Sequence, residues 1–277
     1  MIVFINDKFC NDNEATISPF DRSFLYGDGL FETIRCYQGK PFLLQKHLKR
    51  LYNGLKMLSI KIKYTKSDFQ DIISQLINTN NLQNKDAYLR ITVTRGVTKS
   101  LRDFSSFNPN LFITLKPLEL ELFEKQRKKG LKLKTVNFFR SFLPELKHTS
   151  YLPSVYGLLK NKGADDVIFT DCAGNLLETA VANIYFMKKN TVFTSGKKIL
   201  KGVIREFFIK TLRKYQIEII EENVNKKELE NFESVFITNS IIELMPVKKI
   251  DGKVFDISHG LKLYELLKKE IDKKVSP

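Results

Sequence analysis

The stretch from Glu145 to Arg205 constrains the fold more than any other part of the chain, because breakers, β-formers and helix formers follow one another there in a fixed order. It opens with Glu145-Leu146-Lys147-His148-Thr149-Ser150-Tyr151-Leu152, a polar loop leading into a helix from about Tyr151 to Asn161. Val167-Ile168-Phe169-Thr170 follows as a strand, closed by the turn Asp171-Cys172-Ala173-Gly174. Asn183-Ile184-Tyr185-Phe186 and Thr191-Val192-Phe193 are further strands, and Gly202 opens a helix over Val203 to Tyr215. Interleaved strands and helices of this kind define a mixed α/β or α+β class. The stretch thus sets a lysine before a helix, the acid Glu178 just after a strand turn, and a glycine at a helix start.

The flanking segments carry the same mixture. Residues 1–20 read as a hairpin, with a strand at Ile2–Ile5 and a second running through Ala15-Thr16-Ile17. The two glycines of Asp21-Arg22-Ser23-Phe24-Leu25-Tyr26-Gly27-Asp28-Gly29 predict a bend with positive φ. Leu30–Tyr37 is a strand. Leu48, Leu51, Leu55 and Leu58 recur at helical spacing and predict a helix over Leu44–Leu58. A second helix starts at Ser67, with Gln70 completing a capping box. Tyr88–Thr94 is a strand with Leu89, Ile91 and Val93 on one face, and Leu111–Leu115 is another. The change of pattern at Pro117 divides the chain into an N-terminal α/β domain (1–117), a linker (118–124) and a C-terminal α/β domain (125–277) that carries Lys147.

Composition excludes several classes. Hydrophobic residues make up 43%, enough for a sizeable core and too many for a disordered chain. No apolar run approaches the roughly 20 residues that cross a bilayer, and the N-terminus lacks a signal-peptide pattern. Cys10, Cys36 and Cys172 are far apart and odd in number, which points to neither a disulfide framework nor a zinc site and suggests a reducing cytoplasm. The net charge of +15 comes from lysines spread along the chain beside glutamates, a solvated surface rather than a nucleic-acid stripe. Such a field favours small anionic substrates. The three histidines have no metal-ligand spacing.

Several residues could carry chemistry. An amine that forms a Schiff base must be partly desolvated so that it loses its proton near neutral pH. Lys147, between Phe142-Leu143-Pro144 and an apolar helix start, suits that requirement, although taken alone it reads far more readily as a surface lysine. An always-charged fork and the free N–H groups of a helix start suit a phosphate. Arg50 and the helix behind Gly202 could supply them, with an exposed helix arginine as the plain alternative.

These motifs, in this order, resemble those of the class IV aminotransferases, the two-domain fold-type IV enzymes that use pyridoxal 5'-phosphate (PLP). The resemblance rests on Gly27-Asp28-Gly29-Leu30-Phe31-Glu32-Thr33-Ile34-Arg35, on His47-Leu48-Lys49-Arg50-Leu51, on Lys147-His148-Thr149-Ser150-Tyr151-Leu152, on Gly174 through Asn183, and on Gly202-Val203-Ile204-Arg205. It implies that Lys147 bonds PLP and shuttles the substrate α-proton, and that Glu178 faces the ring nitrogen. It also implies that Arg50 binds the phosphate together with the backbone of Val203 and Ile204. Ser240, in the turn Thr238-Asn239-Ser240-Ile241, is a further donor, and Tyr151 is a partner for the phenolic oxygen. Asn183 is expected to fix the local backbone. Arg35, Arg95 and Arg102 are candidates for the substrate carboxylate. Relatives usually have a threonine where Ile204 stands, so only backbone contacts remain at that helix start.

The resemblance leaves the reaction divided. The loop Ser100-Leu101-Arg102 lacks the histidine expected of D-amino-acid aminotransferases. Asn239 and His148 look more like 4-amino-4-deoxychorismate lyase, which releases pyruvate to give 4-aminobenzoate. The reading adopted is an aminotransferase acting between a branched-chain-like amino acid and a 2-oxo acid, a cytoplasmic homodimer without nucleic-acid or membrane partners. The lyase is the alternative, and a non-catalytic basic binding protein is the outside one.

Overall fold

The computed structural model describes residues 1–104 and 108–275. It divides into two compact units. The first comprises Met1–Leu118 together with Leu146–Tyr151, and the second Glu119–Glu145 with Leu152–Pro277.

The first unit is built on one antiparallel sheet. Its elements are β1 (Ile2–Ile5), β2 (Lys8–Asn11), α1 (Arg22–Tyr26), β3 (Gly29–Tyr37), β4 (Lys40–Pro41), α2 (Leu44–Met57), α3 (Lys66–Thr79), β5 (Ala87–Thr94) and β6 (Asn110–Pro117). The strand order is β2-β1-β6-β5-β3-β4. Alternation does the work expected of it: Leu89, Ile91 and Val93 of β5 join Leu30 and Ile34 of β3 in one core with Leu48, Leu51 and Leu55 of α2. Phe69, Ile73 and Leu76 of α3 complete that core. The helix cap differs from expectation by two residues: Thr65 is the N-cap, and Asp68 closes the capping box. Asp68 lies three residues after a threonine in extended backbone, so it can reach back to the Thr65 amide. The second hairpin strand also differs, since β2 ends at Asn11 and Ile17 is exposed. The Asp21–Gly29 segment is more than a bend. Asp21 caps the short helix α1, and Gly27 ends it at φ 71°, the left-handed conformation that glycine adopts at least cost.

The second unit contains α4 (Leu120–Lys129), β7 (Leu131–Val136), α5 (Leu152–Lys160), β8 (Asp166–Thr170), β9 (Asn175–Thr179), β10 (Asn183–Lys188) and β11 (Thr191–Phe193). It continues with α6 (Val203–Lys214), β12 (Glu218–Ile220), β13 (Val224–Asn225), β14 (Ser234–Asn239), β15 (Glu243–Ile250), β16 (Lys253–Val254) and α7 (Ser258–Val275). The sheet path runs β12-β11-β10-β14-β15-β7-β8-β9-β13, and β9 also pairs with β10, so six strands close on themselves. Leu133, Ile168, Leu176, Ile184, Ile237 and Met245 share one core. Outside it, Tyr185 stacks on Phe236 at 5.4 Å, and Phe208 of α6 meets both rings edge-on.

Two expectations about domain organisation need correction. The proposed linker at 118–124 is mostly helix, because α4 begins at Leu120 and its Arg127 donates to the carbonyls of Leu244 and Ile242. Lys147 groups with the first unit rather than the C-terminal one. The reason is backbone pairing. Phe31 N–H donates to Lys147 O at 2.9 Å, Thr149 N–H donates to Gly29 O at 2.9 Å, and Leu30 bridges His148. The short segment therefore behaves as an added strand along the start of β3.

Candidate active site

In the first unit three motifs distant in sequence converge on β3. Leu146 is buried beside Leu30, with the absent side chain of Gly54 making room for both. The next residue, Lys147, is half-buried, and its Nζ stands 4.5 Å from the centre of the Phe31 ring. An ammonium over an aromatic face is stabilised by the ring quadrupole. Tyr151 meets the same ring edge-on at 5.6 Å. Arg90, on the neighbouring strand β5, lies over that ring at 3.8 Å and donates from Nε to Thr92 Oγ1. Phe31 thus gathers the lysine, a tyrosine and a guanidinium around one apolar plate.

The other face of β3 carries Glu32, buried under α2. Its Oε1 accepts Arg50 Nε at 2.7 Å, and its Oε2 accepts Arg50 Nη2 at 2.6 Å and His47 Nδ1 at 2.7 Å. Burial alone would raise the Glu32 pKa, but Arg50 and then His47 hold it well below the usual carboxylate range. Burial lowers the His47 pKa against the opposing pull of Glu32, so the imidazole is neutral with its proton on Nδ1.

The three arginines proposed for a substrate carboxylate have other surroundings. Arg35 is clamped by Asp86 through Nε at 3.0 Å and Nη2 at 2.7 Å. Arg95 is paired with Asp28 at 2.6 and 3.1 Å, and Arg22 shares that aspartate at 2.8 Å. Arg102 is exposed in the turn after β5. None of the three is grouped at Phe31 in the way Arg90 is.

The second unit holds Glu178 at the end of β9, in register with Asn183 of β10. Both are buried. Between them Thr179 Oγ1 accepts the amide of Ala182 at 2.9 Å, which shapes the connection. Arg140 Nε donates to Glu178 Oε1 at 2.7 Å, and Leu200 N–H donates to Oε2 at 3.1 Å. The carboxylate is therefore held from both oxygens. Asn183 Nδ2 donates to Leu200 O at 2.8 Å, as expected of a residue that fixes local backbone. Its Oδ1 lies only 2.3 Å from where a Cβ at Gly202 would stand, so nothing larger fits that position. Gly202 caps α6 with no side-chain hydrogen bond of its own. The amides of Val203 and Ile204 begin the helix, where they have no intrahelical acceptor, while both side chains are buried. Arg205 braces the start of α6 by donating to Ser195 O and Glu221 Oε2. Asn239 Oδ1 accepts the amides of Ile241 and Ile242, and Asn239 Nδ2 donates to Val181 O. These bonds hold the turn on which Ser240 sits, half-buried.

Arg140, Arg90 and Glu32 were missed as site residues. Arg140 lies in a loop with no local signature. Arg90 occupies the polar side of an alternation read only for its apolar side. Glu32 does carry a legible signal, an acid flanked by Phe31, Thr33 and Ile34 in a strand with no other charge before Arg35.

The first unit thus presents an amine on a segment paired to β3, and the second unit separately holds a buried, doubly engaged carboxylate and a helix start opened by a glycine. The amino-transferase class IV family model matches residues 29–250. The chain belongs to this family, whose members are PLP-dependent enzymes. Among its relatives is a Methanocaldococcus jannaschii protein whose name assigns it, provisionally, to the branched-chain-amino-acid aminotransferases; it is 34% identical over 92% of this chain and 90% of its own length. The Bacillus subtilis aminodeoxychorismate lyase is 28% identical over 98% of this chain and 94% of its own. The branched-chain aminotransferase of the archaeon Thermoproteus uzoniensis, solved with norvaline, shares the fold at a TM-score of 0.90 and 23% identity, over 100% of this chain and 96% of that one.

Proposed function

We propose that this class IV aminotransferase binds PLP through Lys147 and moves an amino group between a branched-chain-like amino acid and a 2-oxo acid. The observation that carries this reading is the sharing of the Phe31 ring by the Lys147 amine and the Arg90 guanidinium. Both cations lie against that one ring, at 4.5 and 3.8 Å from its centre, so the amine and the carboxylate of a single substrate could meet them over the same apolar plate. When bound, the cofactor supplies an electron sink. Glu178 would hold a proton at its ring nitrogen, the amides of Val203 and Ile204 with Arg50 and Ser240 would bind its phosphate, and Tyr151 would meet its phenolic oxygen. Lys147 Nζ removes the substrate α-proton and returns it. Arg90 binds a substrate carboxylate, in place of Arg35, Arg95 or Arg102. Phe31 excludes water and offers an apolar wall suited to an aliphatic side chain. The enzyme acts as a cytoplasmic homodimer; among the described residues no helix is long and apolar enough to cross a membrane.

Purified protein is expected to show a yellow absorbance band that borohydride bleaches and that Lys147→Ala removes. A colourless wild-type protein unable to take up PLP would refute the reading. Leucine with 2-oxoglutarate is the expected substrate pair. The similarity to the lyase over nearly the whole chain supports one second reading, loss of pyruvate from 4-amino-4-deoxychorismate. Turnover of that compound, with none of leucine, would select it.

A further inference from the structure

A helix on the surface of a fold turns its large apolar residues inward and its polar ones outward. The helix α5 does the reverse. Leu152, Val155, Tyr156 and Leu159 follow the i, i+3, i+4, i+7 spacing of a core-facing stripe, yet they are 74%, 55%, 49% and 58% exposed. The buried residues of α5 are Ser154 and Gly157. Ser154 Oγ donates to Ala180 O at 3.3 Å, and a Cβ at Gly157 would stand 3.0 Å from Val167 Cγ2. These small residues let the helix backbone lie close against β8 and the connection after β9, and the large ones are left facing solvent.

Single exposed apolar side chains are ordinary, but a contiguous group of them is not. Leu158 flanks the stripe, and Val181, next to the Ala180 that accepts Ser154, is half exposed as well. At roughly 100 Å² for each half-exposed large side chain, the group leaves on the order of 600 Å² of apolar surface in one place. That is the upper end of the patch a monomer exposes, about 300–600 Å². It is also most of the roughly 800 Å² that each partner brings to a stable interface.

Charge decides the occupant. From His148 to Leu159 the sequence contains no Asp, Glu, Lys or Arg, in a chain of which 28% is charged and whose net charge is +15. A nucleic acid or an acidic protein would be met by lysines and arginines, and this stretch offers none. A helix lying in a membrane surface sets lysines along its polar face, whereas the other side of α5 is packed on the sheet. Two copies of a strongly basic chain repel each other except where both surfaces are uncharged, and a two-fold contact sets one patch against itself. Lys160, whose Nζ lies 5.6 Å from the centre of the Tyr156 ring, marks the end of the neutral surface.

We infer that the outward stripe of α5, centred on Val155 and Tyr156, is where a second copy of this chain docks, helix against helix across a two-fold axis. The inference rests on the reading of the enzyme as a homodimer and names the face that makes it one.

The test is sedimentation velocity of the full-length protein over a range of concentrations. Wild-type protein is expected to be a dimer. Val155→Glu and Val155→Lys each set like charges against each other across the axis, and each should weaken dimerisation about 100-fold or more. Circular dichroism should stay at the wild-type signal, because Val155 is exposed in the single chain. An equimolar mixture of the two variants should recover much of the dimer, a rescue that misfolding cannot produce. Val254→Glu, at a comparably exposed apolar residue on β16, should leave the dimer intact. Where the Val155 pair does not fold, the same two charges at Leu159 are read instead. A dimer that persists in both charge variants, or a mixture no more dimeric than either variant alone, overturns the proposed face and leaves the homodimer reading standing. Wild-type protein that is monomeric throughout defeats the homodimer reading itself and the docking with it, and flotation of such monomers on phosphatidylcholine vesicles would assign the face to a lipid surface.

Discussion

Asp166 opens β8 as a buried acid without a cation among the described residues, and its replacement by asparagine should make stability less sensitive to the rise in pH from acid to neutral. Its Oδ1 accepts the amides of Val167 at 2.7 Å and Ala180 at 3.1 Å. Its Oδ2 is buried with no hydrogen-bond partner among the described residues. Burial, only partly offset by the Thr179 hydroxyl and the two amides, pushes its pKa from 3.8 up to about 6. The folded chain then holds this proton more tightly than the unfolded chain. Its contribution to stability is complete below 3.8 and is lost as pH rises through about 6. At about 1.4 kcal/mol per tenfold change in proton affinity the full loss is roughly 3 kcal/mol, of which roughly half is already present at pH 5. Asp166→Asn keeps the Oδ1 acceptor and cannot ionise. It introduces an amide whose fixed cost, about 1–3 kcal/mol, does not vary with pH. The variant should therefore gain roughly 1.5 kcal/mol relative to wild type between pH 5 and pH 8. The chain has no tryptophan, so urea unfolding is followed by circular dichroism, with cofactor removed from both proteins so that ligand linkage does not mask the difference. A wild-type-to-variant gap that is the same at both pH values would show that Asp166 is ionised in the fold at little cost, and the argument from burial would fail.

Three further outcomes are expected. Gly202→Ala drives a Cβ into Asn183 Oδ1, and should cost about 1–3 kcal/mol as well as PLP affinity; Gly202→Ala with Asn183→Ala should recover part of both, and no recovery would locate the fault elsewhere. Thr65→Ala removes the N-cap of α3 and should lower urea stability by about 1 kcal/mol without altering KM. Arg90→Met keeps bulk over Phe31 but removes a charged donor, so KM for 2-oxoglutarate should rise about 10- to 100-fold; an unchanged KM would take Arg90 out of substrate binding.

Legibility tracked the range of the interactions involved. The α2 stripe of Leu48, Leu51 and Leu55 and the alternation Leu89, Ile91, Val93 are local patterns, and each is buried as its period demands. The capping box at α3 was misplaced by two residues because Ser67 and Thr65 both satisfy the local rule, and only backbone conformation separates them. The expected strand through Ile17 failed because β-propensity without a pairing partner does not make a strand. The candidate site was legible where one motif holds its own geometry, as at Glu178 and Asn183, which face each other across a single connection. It was not legible where the partner comes from far along the chain. Arg140 reaches Glu178 from 38 residues away, and Lys147 finds its sheet neighbour more than a hundred residues upstream at Phe31. Such pairs are settled by topology, which no window of sequence contains.

The chain's return to β3 at Leu146–Tyr151 bears on how this protein can be divided. A gene fragment ending at Leu118 would encode every described strand of the first sheet yet omit the piece bearing Lys147, the lysine proposed to hold the cofactor. The downstream fragment would carry that amine on a tether with nothing to zip against. Co-expressing the halves should restore colour only when the tether finds its groove, which makes split-protein complementation a direct readout of a six-residue docking event.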